Sequence, residues 1–265
     1  MSLTVFKYSG LRQHVKVYIW DIETCRILHV LKGHSDETYY AAFSPDDKYI
    51  VSASGDQTAR VWDAKTGEEL HNLAGHSDDV FFATFSPNGK QIATLSFDNF
   101  IRIWNAETGN LIHDMQLEEP DCMLTSLAFS PDGKHIATTV VNGDNCIWDL
   151  QTGTMIKKLE RNSSMDFSIT YSPDSKYVAT ASLDSIVSVW DTDSGQIIET
   201  FQSAETEDFA YVTFDASGQQ IVVTTSNGKL QFYDFPPLQE LIDQTRERFK
   251  DRPLTPEERR MYYLE

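Results

Sequence analysis

A tryptophan followed by an acidic or amide residue recurs at Trp20-Asp21, Trp62-Asp63, Trp104-Asn105, Trp148-Asp149 and Trp190-Asp191, and in weakened form at Tyr233-Asp234. The spacings are 42, 42, 44, 42 and 43 residues. A fixed period of that length means supersecondary units that stack, because one such unit cannot bury its apolar face alone. The period runs to residue 234 without a linker, so the 265 residues divide into a repeat domain, 1–235, and a tail, 236–265.

Within one period, Gly33 to Asp63, turn residues alternate with short apolar runs. Tyr39 to Phe43 reads as a strand, and Ser44-Pro45-Asp46-Asp47 as a turn whose proline presets φ. Tyr49 to Ser54 alternates as a strand does, Gly55-Asp56-Gln57 turns into the strand ending at Trp62, and Lys65-Thr66-Gly67 turns into Glu68 to Leu73. The punctuation returns at Ser86-Pro87-Asn88-Gly89, Ser130-Pro131-Asp132-Gly133, Ser172-Pro173-Asp174-Ser175 and, degraded, at Asp215-Ala216-Ser217-Gly218. Four strands per unit with turns every 8 to 12 residues predict an all-β fold.

On these residues the chain resembles the WD-repeat family over roughly residues 5 to 235. That resemblance implies a β-propeller of four-stranded blades around a channel. It also implies a structural tetrad in each blade: His34, Ser52, Asp56 and Trp62 in the second unit, and His76, Thr94, Asp98 and Trp104 in the third. The pattern decays afterwards, to Thr138, Asn142 and Trp148, then Thr180, Asp184 and Trp190, then little beyond Asn227 and Tyr233.

The ends depart from the period. Before Trp20 there is room for two strands, about Leu3 to Ser9 and Val15 to Trp20. The last unit offers Ala210 to Phe214, Gln220 to Thr225 and Lys229 to Asp234 before Pro236-Pro237 ends strand structure. The expected count is four full blades and two three-stranded ones, 22 strands in all. Either the ring closes with six blades, or the chain is part of a larger propeller whose remainder lies elsewhere; unpaired edges favour the second. In the tail, Leu238, Leu241, Ile242, Thr245 and Phe249 fall at helical spacing, and Thr255-Pro256-Glu257-Glu258 supplies the cap, first-turn proline and capping-box glutamate of a second short helix. The tail is similar to the endings that follow such propellers in bacterial multidomain signalling proteins, through Leu254, Thr255, Glu257, Glu258, Arg259 and Tyr262.

Net charge is −18, with 22 Lys and Arg against 40 Asp and Glu, and the tail accounts for only −1 of it. So acidic a repeat region lacks the basic footprint of a nucleic-acid binder and disfavours anionic membranes. Three scattered cysteines, Cys25, Cys122 and Cys146, form neither a disulfide framework nor a zinc motif, and no signal-peptide or membrane-spanning run is present; together these predict a cytoplasmic protein. No cofactor or metal is expected. His29, His71 and His113 recur 42 residues apart, which reads as surface positions repeated by duplication rather than as a shared metal site. Asp56, Asp98 and Asp184 occupy the same turn of successive units and read as structural rather than catalytic, so no enzyme is expected.

What the repeat leaves unfixed is the loop before each first strand. These loops hold Asp36, Glu37, Asp78, Asp79, Glu118, Glu119, Asp121, Asp166, Glu205, Glu207 and Asp208. Just past the buried position of each first strand come Tyr39, Phe81, Thr125, Phe167 and Ala210. Gly55, Phe97 and Leu183 precede the turn aspartates. By resemblance these positions line the channel mouth where partners bind. The expected function is a protein-interaction scaffold or sensor that binds a protein or basic peptide through Glu37, Tyr39, Asp79, Phe81, Phe97, Met123, Phe167, Leu183 and Asp208. Two alternatives remain at this level: an assembly module pairing through open blade edges, and a small-ligand or enzymatic propeller using the channel.

Overall fold

Runs rich in β-branched and small residues, each ended by an Asp, Ser, Asn or Gly turn, form 21 strands in the described residues of the computed structural model, which are 16–21, 23–117, 122–160, 165–203 and 209–235. The backbone divides into two compact units, Met1–Lys158 and Leu159–Glu265. No helix is present among the described residues, and none there is long and apolar enough to cross a membrane.

The first unit opens with a two-stranded sheet, β1 (Lys16–Asp21) and β2 (Arg26–Lys32). Three four-stranded sheets follow: β3 (Thr38–Phe43), β4 (Tyr49–Ser54), β5 (Thr58–Asp63) and β6 (Glu69–Ala74); β7 (Val80–Phe85), β8 (Gln91–Ser96), β9 (Phe100–Asn105) and β10 (Leu111–Gln116); and β11 (Met123–Phe129), β12 (His135–Val141), β13 (Asn145–Asp149) and β14 (Thr154–Leu159). The second unit holds a four-stranded sheet, β15 (Asp166–Tyr171), β16 (Tyr177–Ser182), β17 (Ile186–Asp191) and β18 (Ile197–Gln202), and a three-stranded one, β19 (Phe209–Phe214), β20 (Gln220–Thr225) and β21 (Leu230–Asp234). Strands neighbour in chain order in every sheet. The strand expected at Leu3 to Ser9 and the two tail helices lie outside the described residues.

The turns explain the recurring punctuation. Ser44 Oγ accepts the Tyr49 N–H at 2.9 Å and donates to Asp46 Oδ1 at 2.7 Å, closing the β3–β4 hairpin. Ser130 with Asp132 and Ser172 with Asp174 repeat the arrangement, and Asn88 replaces the carboxylate beside Ser86. The Asp or Asn after each tryptophan is also a turn-former: Asp63 Oδ1 accepts the N–H groups of Lys65 and Thr66 at 2.9 and 2.7 Å, and Asp149 does the same for Gln151 and Thr152.

Central strands read as continuous apolar or small runs because both their faces are covered. In β4, Ile50 packs with Trp62 against Val17, Ile19 and Leu31 of the first sheet. Its neighbour Val51 points the other way, joining Ala59 and Val61 against Val80, Phe85 and Ile92. The same step repeats from Ile101 and Ile103 onto Leu124, Leu127 and Ile136. In the second unit, Ala179, Val187 and Val189 pack on Val212, Phe214 and Ile221.

His29, His71 and His113 are half-buried rather than surface positions. Each outer-strand ring lies against a left-handed glycine in a turn of the following sheet: His29 on Gly67 (φ +75°), His71 on Gly109 (φ +71°) and His113 on Gly153 (φ +69°). His71 Nε2 pairs with the Glu107 carbonyl at 2.8 Å and His113 Nε2 with the Leu150 carbonyl at 3.0 Å. A Cβ on Gly153 would fall 2.7 Å from His113 Nδ1, so glycine is required both for its φ and for the ring above it.

Candidate protein-binding face

Two tetrads anchor the loops that carry the candidate residues. Trp62 Nε1 donates to Ser52 Oγ at 2.8 Å, Ser52 Oγ pairs with His34 Nε2 at 2.7 Å, and His34 Nδ1 pairs with Asp56 Oδ2 at 2.9 Å. With the indole as donor, the hydroxyl hydrogen can serve Nε2 and Nδ1–H the carboxylate, an arrangement that suits a neutral imidazole. In the next sheet Trp104 donates to Thr94 Oγ1 at 3.0 Å, Thr94 pairs with His76 at 2.7 Å, and His76 with Asp98 at 2.9 Å. Burial lowers the pKa of both histidines, more strongly than Asp56 and Asp98 raise it. Burial alone would raise the Asp98 carboxyl, but the Ser77 N–H, Arg102 and His76 together draw it down to about 2.

Arg102 extends the third-unit tetrad, reaching Asp98 Oδ2 at 2.8 Å and Asp114 at 2.9 Å. Arg60 does the like with Glu69 at 2.6 Å. Sequence reasoning missed both, although each lies two residues before its tryptophan and the two are 42 residues apart. The later sheets keep only the indole bond, Trp148 to Thr138 at 3.0 Å and Trp190 to Thr180 at 3.5 Å. Asn142 is exposed at φ +61°, and the buried amide in that sheet is Asn145, which accepts the Val140 N–H at 3.1 Å. Asp184 accepts from Ser182, and Asn227 from Thr225 at 2.6 Å.

The tetrad histidine fixes the start of the loop into the first strand, and a buried serine fixes its middle. Ser54 Oγ donates to the Asp36 carbonyl at 3.1 Å, and Ser96 Oγ to the Asp78 carbonyl at 3.0 Å. Asp36, Glu37 and Asp78 are left exposed, with Asp79 partly so. The next residues leave the regular ladder. Thr38 pairs with Ser54 and Tyr40 with Ala53, so Tyr39 is a β-bulge. Phe81, Thr125, Phe167 and Ala210 are bulged at the equivalent step of their strands. A bulge re-aims a side chain at the end of a sheet, and here it recurs in all five first strands.

In the first unit these residues make two close pairs. Tyr39 Oη donates to Asp79 Oδ2 at 2.8 Å, linking two sheets. That bond, with burial and the charges of Asp79, Glu37 and Asp36, pushes the phenol up to about 12. Gly55 leaves the space: a Cβ there would sit 3.3 Å from Tyr39 Oη and 3.4 Å from Asp79 Oδ2. In the next sheet the position of Gly55 is Phe97, which stacks on Phe81 with centroids 4.8 Å apart and stays 45% exposed. Met123 occupies the position of Asp79 in the following sheet and is exposed. Tyr40 and Phe82, centroids 4.4 Å apart, form a second ring pair that sequence reasoning did not single out.

In the second unit Phe167 and Leu183 are exposed, and Leu183 N–H bonds the Met165 carbonyl. Asp166 corrects the expectation of a carboxylate on the rim: it pairs with Ser182 as the first residue of β15, takes the buried place that Val80 has in β7, and is 1% exposed. Asp208, with Glu118, Glu119, Asp121, Glu205 and Glu207, lies outside the described residues. Among the described residues no group of three or more His, Cys, Asp or Glu is placed to hold a metal ion.

The family described as the IFT122 first beta-propeller matches residues 11–248. The chain belongs to that family. It is a β-propeller domain of the WD-repeat type, a non-enzymatic kind that generally serves as a protein-interaction scaffold. No curated protein matches the chain. Membership in the IFT122 first-propeller family accounts for the repeated sheets, turns and tetrads.

Proposed function

We propose that this propeller domain binds a protein partner through a basic segment received by Asp36, Glu37, Tyr39, Asp79, Phe81 and Phe97. The observation that carries this reading is the partly exposed stack of Phe81, on β7, with Phe97, in the turn after β8, beside a loop into β7 that holds Asp78 and Asp79. Stacked aromatics give a rigid anchor at low entropic cost, and the carboxylates select a cation and oppose anionic ligands. Phe167 and Leu183 offer a similar aromatic and aliphatic pair in the second unit and belong to the same proposal, as do Met123 and Asp208. Leu28, Leu70 and Ile112 are bulged residues in the outer strands, which breaks those edges and counts against pairing through them. A cytoplasmic location and a sensor role beside other modules complete the proposal, supported by the dispersed cysteines and the motif in the tail.

The test is capture of partners from a cytoplasmic extract by the wild-type chain and by Phe81→Ala/Phe97→Ala. Loss of specific partners in the variant is expected. An unchanged set, captured to the same extent, refutes the assignment of this face.

A further inference from the structure

Arg102 shows what a carboxylate and a phenyl ring two residues apart can hold. Its guanidinium carbon lies 4.7 Å from the centre of the Phe100 ring, and its Nη1 donates to Asp98 Oδ2 at 2.8 Å. A flat, weakly hydrated guanidinium can rest on a ring while its rim of N–H groups reaches a carboxylate, whereas an ammonium is a compact, strongly hydrated point charge. The lysines behave accordingly. Lys48, Lys134 and Lys176 pair from exposed positions with the turn aspartates Asp46, Asp132 and Asp174.

The same spacing recurs on the candidate face as Asp79 and Phe81. Phe97 N–H donates to the Asp79 carbonyl at 3.0 Å, so the Phe81–Phe97 stack and the carboxylate hang from one pair of bonded residues. Tyr39 Oη takes Asp79 Oδ2 at 2.8 Å, which fixes the carboxylate and leaves Oδ1 to accept. Asp78 Oδ1 accepts the Asp79 N–H at 2.8 Å, which holds a second, exposed carboxylate in the same loop. Among the described residues no lysine or arginine pairs with Asp78 or Asp79. We propose that the side chain this face selects from a partner is an arginine, its guanidinium laid on the Phe97 ring and hydrogen-bonded to Asp79. Resting on the reading of this face as the partner site, this narrows the basic segment to one that carries arginine. Lysine would keep the attraction of the two carboxylates and lose the stacked plane and the forked donors.

Two blocked octapeptides, one alternating glycine with arginine and the other glycine with lysine, carry equal charge. The general pull of a chain with net charge −18 therefore cancels in the ratio of their affinities. Fluorescence anisotropy measures both peptides on the full chain, on Phe81→Leu/Phe97→Leu, which keeps apolar side chains, and on Asp79→Asn, which can still accept from Tyr39. The second variant supplies the comparison should the first fail to fold. The arginine peptide is expected to bind about tenfold more tightly than the lysine peptide, and either variant should bring the two within about threefold of each other. Equal affinities on the wild-type chain, both weakened by the ring substitutions, overturn the arginine preference and leave the basic-segment reading standing. A preference that survives in either folded variant also overturns it. Affinities that neither variant changes, or no binding of either peptide, remove this face as the site and the arginine with it.

Discussion

Replacing Thr94 by valine removes one hydroxyl from the centre of a tetrad and keeps the volume of the side chain. Thr94 and Trp104 are buried, and two partners lose their bond: the Trp104 indole N–H at 3.0 Å and His76 Nε2 at 2.7 Å. Each buried polar group left unsatisfied costs about 1–3 kcal/mol, partly offset by the strand preference of valine, for an expected total of about 2–4 kcal/mol. Thr138→Val in the next sheet orphans only the Trp148 indole and should cost about 1–2 kcal/mol. Thr180→Val, whose indole contact is 3.5 Å, should cost less than about 1 kcal/mol. Because the chain has two compact units, native-state hydrogen exchange of amides in β8, β12 and β16 is a better assay than a single melting curve. Equal losses at Thr94 and Thr138 would refute the reasoning, since the histidine bond would then contribute nothing.

Acidification should weaken the first unit in two windows. Burial holds the pKa values of His34 and His76 in the folded chain below the ordinary histidine value of 6.5, so the unfolded chain binds more protons there and stability falls as pH drops below that value. Asp98, held at about 2 against 3.8, adds a loss between those values as the folded carboxyl is finally protonated. Denaturant titrations from pH 8 to 5 should show a decline that His34→Gln/His76→Gln flattens; an unflattened decline contradicts the buried neutral imidazoles. Gly153→Ala should destabilise by more than Gly228→Ala. Both glycines have positive φ, which costs alanine about 1 kcal/mol, but a Cβ at Gly153 meets the His113 ring at 2.7 Å and one at Gly228 meets nothing within 4 Å. Exchange protection in β10 and β13 reads the first cost and that in β20 and β21 the second, and equal costs would remove the clasp from the account.

The all-β class, the four-strand units and most strand limits were legible because each depends on short-range chemistry: the Ser-Pro-Asp turns, the Asp or Asn after each Trp, and runs apolar on both faces. Placement of Tyr39 and Phe81 was legible as a repeated position, but the bulge that re-aims them was not, since one extra residue in a strand leaves no mark in composition. The Tyr39–Asp79 bond joins residues 40 apart across two sheets, and only the small Gly55 opposite the large Phe97 hinted at it. Asp166 misled because a carboxylate in a loop reads as exposed, while register puts it where Val80 is buried. The histidines at 29, 71 and 113 were read as surface repeats because their partners are glycines of the next unit, a relation that shows only once the sheets are stacked.

The central claim, a partner-binding face built on the Phe81–Phe97 stack and its carboxylates, is tested most directly by affinity for a partner recovered on the wild-type chain. Phe81→Ala/Phe97→Ala is compared at low and high salt with Leu70→Ala/Ile112→Ala, a control on exposed outer-strand residues. The account predicts a loss of about thirtyfold or more for the aromatic pair, as for central anchors worth about 2 kcal/mol, with wild-type binding weakened by salt and the control unaffected. Unchanged affinity in the aromatic variant, with loss in the outer-strand control, would contradict it.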